Sequence, residues 1–300
     1  MIDAITHIVR LLRPQQWVKN LFVFLPAFFD GRIAHTEGFC PSVAVFVLFC
    51  LAASAVYCLN DIVDADADRQ HPVKRRRPIA SGAVSKPVGY GLMAACALLT
   101  LGGALTSAAW AGVADAVAVT VIMVAYLLLN VLYCLWLKTI AIVDVFIIST
   151  GYVLRVMAGG QATSVEPSSW LVLMTFLLAL FLAFCKRRDD VVMHEQTGVL
   201  ARRTVSHYNT AFIDQIITII ASILMVSYIM YTVSPEVSTR FGSRRVYMTA
   251  VFVLAGIIRY LQLTIVDDRS GSPTRVLLTD RFIHLCIVGW LLCFAVFIYL

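Results

Sequence analysis

Long apolar runs alternate with short polar segments along almost the whole chain, and the runs set the architecture. Stretches long enough to cross about 30 Å of hydrocarbon as a helix fall at 16–31, 39–60, 88–109, 112–135, 140–160, 169–185, 208–233, 246–266 and 282–300. The first is the weakest, because Trp17, Lys19 and Asn20 interrupt its start. No run shows the period-two alternation of a half-buried strand. The pattern predicts an all-α, polytopic membrane bundle of about nine transmembrane helices, read as one domain over residues 1–300. No cleavable signal peptide is expected ahead of the first run, since residues 1–14 are mixed and end in Arg10, Arg13 and Pro14.

Composition agrees: 60% of residues are hydrophobic and 14% charged, with mean hydropathy +0.84, which excludes a water-soluble globular domain. The distribution of Lys and Arg adds an orientation. With a cytoplasmic N-terminus, 18 of the 24 basic residues lie on the cytoplasmic side and 4 on the other, as the positive-inside rule requires. The expectation is an integral protein of a bacterial plasma (inner) membrane, N-terminus in and C-terminus out. The net charge of +6 suits anionic lipids and phosphorylated substrates and gives no reason to invoke nucleic acid. The eight cysteines are scattered through or beside the spans with no CxxC pair, so neither a disulfide framework nor a zinc site is indicated. Homo-oligomerisation is compatible with the pattern.

Against this background one polar stretch stands out. Residues 60–78 read NDIVDADADRQHPVKRRRP and follow an apolar helix. If that helix continues, Asp61, Asp64 and Asp68 fall at i, i+3 and i+7 on one face, with Asn60 at its edge and Asp66 pointing away. Three carboxylates on one stripe repel unless a cation sits among them. Oxygen-only ligands favour a hard ion such as Mg²⁺, which shares its shell with water and phosphate oxygens. The basic run Lys74 to Arg77 then supplies charge for a polyphosphate. A solvated loop between two spans is the alternative, and it leaves the helical phasing of the acids without a cause.

Other polar residues fall where lipid would penalise them. Pro14 suits a helix start and Trp17 an interfacial anchor, but Gln16, Lys19 and Asn20 would have to face a polar interior. Tyr126, Asn130 and Tyr133 recur at helical spacing. The tyrosines read equally as interface packing, whereas Asn130 lies deeper. Asp144 and Arg155 are eleven residues apart in one span, about 16 Å along its axis, too far to pair. Asp144 lies near the cytoplasmic end, within reach of a polyphosphate site; Arg155 is open to a structural or a functional role. A second acid/base cluster, Lys186-Arg187-Arg188-Asp189-Asp190, follows the sixth run, with Lys186 and Asp190 at i, i+4, and a surface loop carrying His194, Arg202, Arg203 and His207 is expected at 191–207. Arg259 is another intramembrane charge, and Ser270-Gly271-Ser272-Pro273 has turn chemistry.

Asn60, Asp61, Asp64 and Asp68 form an NDxxDxxxD motif, which in a nine-span protein resembles the UbiA superfamily of intramembrane prenyltransferases. The resemblance implies an all-α bundle around a cavity opening to the cytoplasmic side, with Mg²⁺ held by the first aspartate motif. Most members that use prenyl diphosphates carry a second motif, DxxxD, after the sixth helix. Here residues 185–207 offer only Asp189, Asp190 and Glu195 behind three basic residues. That departure resembles the branch that transfers 5-phosphoribosyl to polyprenyl phosphates. Matching stretches are Arg13-Pro14-x-Gln16-Trp17-x-Lys19-Asn20, His71-Pro72-x-Lys74-x-x-Arg77-Pro78, Asp144 through Gly151 to Arg155, Lys186-Arg187 with Asp190, and Leu277-Leu278-x-Asp280-Arg281.

The resemblance implies Asp61, Asp64 and Asp68 as metal ligands and, with Asn60, as catalytic residues. Gln16, Lys19, Lys74, Arg77, Tyr133, Asp144, Lys186, Arg187 and Asp190 are then the expected substrate-binding residues. The expected partners are phosphoribosyl diphosphate, a polyprenyl phosphate and the surrounding membrane lipid. Phosphoribosyl diphosphate carries a 5-phosphate besides its leaving diphosphate, so it needs more cationic groups than an allylic diphosphate, which accounts for the surplus of Lys and Arg. Two other activities compete: prenyl transfer to an aromatic or similar acceptor, and transport of an anionic solute past Asp144, Arg155 and Arg259. The first lacks its second aspartate motif, and the second leaves the aspartate triad without a task.

Overall fold

The computed structural model describes residues 2–70, 73–197, 203–268 and 272–299. The described residues are helical or in turns, with no strand. Among the described residues, eight helices are long and apolar enough to cross a membrane. Seven of them coincide within a few residues with expected runs, and the helix expected at 169–185 starts at Ser169 but runs on to Thr197.

The chain divides into two compact units. The first holds α1 (Ile2–Leu12), a 3₁₀ segment (Pro14–Phe24), α2 (Leu25–Phe29, up to Phe28), α3 (Thr36–Val63), α4 (Ala65–Gln70), α5 (Lys86–Ala111), α6 (Ala116–Leu135) and most of α7 (Val143–Thr163). The core of this unit is built where α3 meets α5, α6 and the 3₁₀ segment. Val45, Leu48, Phe49 and Ala52 of α3 pack with Val23, Ala104, Met123, Tyr126 and Ala158. Small residues set the closest approaches. A Cβ on Gly159 would lie 2.0 Å from the Val23 carbonyl oxygen, so α7 touches the 3₁₀ backbone directly. Helix ends follow local chemistry: Gly112 closes α5 in the left-handed conformation, and the Asp115 carboxylate caps α6 by accepting from the Ala118 N–H at 2.8 Å.

The weak first run is not one of the eight long helices. Pro14–Phe24 forms an eleven-residue 3₁₀ helix, although such runs are rarely longer than three or four residues, and the five-residue α2 follows it. Its polar residues have found long-range partners. Trp17 Nε1 donates to Ser54 Oγ at 3.2 Å, and Asn20 Nδ2 to Cys50 Sγ at 3.2 Å. Asn20 Oδ1 accepts from Arg155 Nε at 2.7 Å. Arg155 also donates to the Tyr126 hydroxyl at 3.0 Å and lies over the Phe49 and Tyr126 rings. Its role within this unit is therefore structural, joining α7 to α6, α3 and the 3₁₀ segment.

The second unit contains α8 (Ser169–Thr197), α9 (Thr210–Val233), α10 (Pro235–Arg240), α11 (Ala250–Ile265), α12 (Pro273–Thr279) and α13 (Arg281–Tyr299), together with residues 29–31 and 148–153. α8 packs on α9, and α11 on α13 and α9. The expected loop at 191–207 is corrected in part, because α8 continues as helix beyond its apolar stretch to Thr197. Arg188 is the main tie of this unit. Its guanidinium donates to Asp214 at 2.7 Å, to Asp268 at 2.5 Å and to the Thr264 carbonyl at 2.7 Å, so one buried side chain holds α8, α9 and α11 together. Arg259, expected as a costly charge in lipid, reaches Asp280 at 2.8 Å, and Asp280 in turn caps α13 through the Ile283 N–H. His71, Pro72, Arg202, Ser270 and Gly271 lie outside the described residues.

Candidate active site

The aspartate stripe lies in the first unit, and one residue interrupts its helix. α3 ends at Val63, Asp64 takes φ −86°, ψ −2°, and α4 starts at Ala65. The Asp68 N–H still donates to the Asp64 carbonyl at 2.8 Å, so the axis kinks while the acids stay in sequence along it. Asp61 and Asp68 are buried, and Asp66 is exposed and paired with Arg69 and Lys86, as its opposite phase predicts.

Side-chain cations sit among the three carboxylates. Arg13 Nη2 reaches Asp61 Oδ1 at 2.5 Å. Arg77 Nη1 bridges Asp61 Oδ1 at 3.4 Å and Asp68 Oδ2 at 2.7 Å. Lys138 Nζ meets Asp64 Oδ1 at 2.5 Å. The basic run after α4 is thus split by environment: Arg77 turns into the acids, Lys74 is half-buried, and Arg75 and Arg76 are exposed. Asn60 lies beside the stripe, where its Oδ1 is 3.8 Å from Cys134 Sγ.

Two strained backbone positions flank this site. Arg13 is in the left-handed region, φ 53°, ψ 57°, and its guanidinium also covers the Tyr57 ring at 4.9 Å. Ile142 has φ 69°, ψ −50°, and the Val143 N–H donates across it to the Ala141 carbonyl at 2.8 Å. That is a γ-turn of the rare, strained kind, and it starts α7 with fully buried Asp144 in the first turn, where the helix dipole favours a carboxylate. Strain of this kind costs about 1–3 kcal/mol per residue and concentrates at functional sites.

Gln16, Lys19 and Tyr133 are half-buried in the same unit. Lys186, Arg187 and Asp190 belong to the second. There Arg187 Nη1 reaches Asp190 Oδ2 at 2.8 Å, with the Arg187 side chain buried. Sequence reasoning missed Arg13 and Lys138 as partners of the stripe. They lie 48 and 74 residues from their aspartates, so spacing along the chain does not pair them with the stripe.

A buried acid stripe wrapped by Arg and Lys lies at the end of a membrane helix, and comparison with known proteins identifies the lineage. The sequence profile of the UbiA prenyltransferase family matches residues 23–286. The chain belongs to the UbiA prenyltransferase family. It is an integral membrane protein.

Among relatives of this UbiA chain, decaprenyl-phosphate phosphoribosyltransferase of Corynebacterium glutamicum is 32% identical over 295 residues, covering 97% of this chain and 86% of that protein. The enzyme of the same name from Mycobacterium tuberculosis is 32% identical over 293 residues, covering 96% and 93%. Among solved structures, a UbiA homolog from Archaeoglobus fulgidus bound to DMAPP and Mg²⁺ superposes with a TM-score of 0.70 at 16% identity, covering 97% of this chain and 98% of that one. The all-α fold is therefore that of UbiA proteins, and divalent metal binding occurs within the family.

The residues of this UbiA member fit such an ion. Asp61 Oδ2 is buried and has no hydrogen-bond partner among the described residues, which leaves one carboxylate oxygen of the stripe for a cation. No three His, Cys, Asp or Glu side chains among the described residues enclose an ion by themselves. That suits Mg²⁺, which keeps several waters and is bound through one or two carboxylates plus substrate phosphates.

Proposed function

We propose that this UbiA protein transfers 5-phosphoribosyl from phosphoribosyl diphosphate to a polyprenyl monophosphate of decaprenyl type, releasing diphosphate. The observation that carries the reading is near-full-length similarity to two decaprenyl-phosphate phosphoribosyltransferases, in a chain whose second polar cluster is basic where prenyl-diphosphate users are expected to be acidic. The family match spans both units, which supports treating residues 1–300 as one UbiA-like domain. The charge asymmetry of the loops supports a plasma-membrane protein with a cytoplasmic N-terminus and an active site open to the cytoplasm.

In this reading carboxylates of the Asp61, Asp64 and Asp68 stripe would hold Mg²⁺ together with phosphate oxygens of the donor. Bound there, the ion neutralises the diphosphate and makes it a better leaving group. Arg13, Arg77 and Lys138 hold the carboxylates in place before substrate arrives. They then present N–H groups to phosphate oxygens, with Lys19 and Lys74 as further clamps. Gln16, Asn60, Tyr133 and Asp144 orient the donor, and Lys186 and Arg187, fixed by Asp190, bind a second anionic group. The C1–O bond to diphosphate breaks, and an acceptor phosphate oxygen forms the new C1–O bond with inversion at C1. A phosphomonoester with a second pKa of about 6 is already an anion at neutral pH, so no general base is needed.

The test is donor choice by the purified protein with Mg²⁺ and a polyprenyl phosphate or an aromatic acceptor. Turnover of phosphoribosyl diphosphate into lipid, with no use of a prenyl diphosphate, is the expected result. The reverse pattern would assign ordinary prenyl transfer.

A further inference from the structure

Away from the aspartate stripe, the second unit carries two adjacent arginines on its opposite membrane face. Residues 234–249 join α9 to α11. Arg188 of α8 is bound to Asp214 near the start of α9 and to Thr264 and Asp268 at the end of α11. From Asp214 to Val233, α9 rises about 28 Å, nearly the thickness of the hydrocarbon. The connection therefore lies on the face opposite Lys186 and Arg187. Arg240, Arg244 and Arg245 are three of the four basic residues that the loop charges leave on that face, where short loops are normally poor in them. Arg240 is engaged within the unit by Asp30 at 3.1 Å. Arg244 and Arg245 are exposed and form no ion pair among the described residues.

Their backbone is fixed. Arg244–Thr249 form a 3₁₀ segment that runs on into α11, so that Arg244–Ile265 makes one membrane-crossing helix. Side chains three apart eclipse in a 3₁₀ helix, which sorts these residues into columns. Val246 and Thr249 face inward and are fully buried. Thr249 Oγ1 meets the Tyr228 hydroxyl of α9 at 2.7 Å, and that hydroxyl accepts from Trp290 Nε1 of α13 at 2.7 Å. The other two columns face outward: Arg244 above Tyr247, and Arg245 above Met248, all four exposed. Below Met248 the outward column continues along α11 through exposed Val251, Leu254 and Ile258, which share one helical face.

This order of groups selects the ligand. Two guanidiniums stand at the membrane surface, an aromatic ring and a thioether one turn deeper, and an apolar stripe runs on below them. A phospholipid has the complementary profile, an anionic phosphate above hydrocarbon. Guanidinium forks match phosphate oxygens in bidentate fashion, and the tyrosine suits the interfacial level between the two regions. A free phosphate would use the arginines and leave the stripe below them without a part. We infer that Arg244 and Arg245 bind the phosphate of an anionic phospholipid in the leaflet opposite Lys186 and Arg187, with an acyl chain laid along Val251, Leu254 and Ile258. The site is separate from the aspartate stripe and does not depend on the transfer reaction proposed above.

The experiment is native mass spectrometry and thermal unfolding of the full-length protein in neutral detergent, for wild type and Arg244→Gln/Arg245→Gln. Each is titrated with phosphatidylglycerol, phosphatidylcholine or inorganic phosphate. Without lipid the two proteins should have equal melting temperatures, since neither guanidinium is paired within the fold. Wild type should bind one phosphatidylglycerol that the double variant binds about thirtyfold more weakly, the effect of losing two arginines at the surface. Phosphatidylcholine should bind both proteins alike, and inorganic phosphate should shift both melting temperatures equally. Phosphatidylglycerol binding of the same stoichiometry and affinity in both proteins would overturn the site. Stabilisation by inorganic phosphate that the variant loses would overturn the lipid and assign the arginines to a free anion.

Discussion

At the scale of single residues, each acid of the stripe is paired with a cation. Arg77 bridges two aspartates from one guanidinium, a geometry a lysine cannot copy. Arg77→Lys is therefore expected to keep the fold and raise KM for the donor by about tenfold, read from initial rates at varied donor concentration. Asp280 offers a pH test away from the site. The Arg259 guanidinium, with the Ile283 and Phe282 N–H groups, holds its carboxyl below the ordinary value of 3.8. A depressed pKa stabilises the fold above the unfolded-state value and loses that contribution as pH falls through the folded one. Asp280→Asn should accordingly lower the melting temperature at pH 7, and the gap to wild type should close as pH drops below 3.8. Much at this scale was legible beforehand: the aspartate phasing and the outward Asp66 follow from residue spacing alone. What spacing cannot give is the choice of cation, because Arg13 and Lys138 reach the stripe only through tertiary packing.

At the scale of elements, hydropathy located seven membrane helices to within a few residues and the start of an eighth, because lipid demands long apolar helices whatever their neighbours. It fared worse where partners decide the conformation. The segment Pro14–Phe24 reads as a poor span since Gln16, Lys19 and Asn20 need polar company. That company comes in part from Cys50 and Arg155, residues remote in sequence. α8 outruns its apolar stretch for a related reason, because Arg187 and Arg188 satisfy their charges within the unit and allow the helix to continue. Contact between α7 and the 3₁₀ segment is tight enough to test. Gly159→Ala places a Cβ against the Val23 carbonyl, and the overpacking should cost about 1–3 kcal/mol. A lower melting temperature in detergent checks it, with Gly102→Ala, which meets nothing within 4 Å, as the neutral control.

At the scale of the whole molecule, the chain combines an acid stripe at the end of a membrane helix with a surplus of positive charge. The lipid acceptor can keep its tail in the bilayer while only its phosphate enters a polar environment. A donor with two anionic ends explains why Lys186-Arg187-Arg188 stands where a second acid motif was expected for prenyl transfer. The central claim is tested most directly by incubating membranes containing the protein with labelled phosphoribosyl diphosphate, polyprenyl phosphate and Mg²⁺, then extracting the lipid phase. Label should appear in an acid-labile polar lipid and fall by at least about a hundredfold in the Asp64→Ala protein, with folding in detergent retained. Undiminished labelling by Asp64→Ala would remove the aspartate stripe from the mechanism, and absence of labelled lipid with wild type would contradict phosphoribosyl transfer itself.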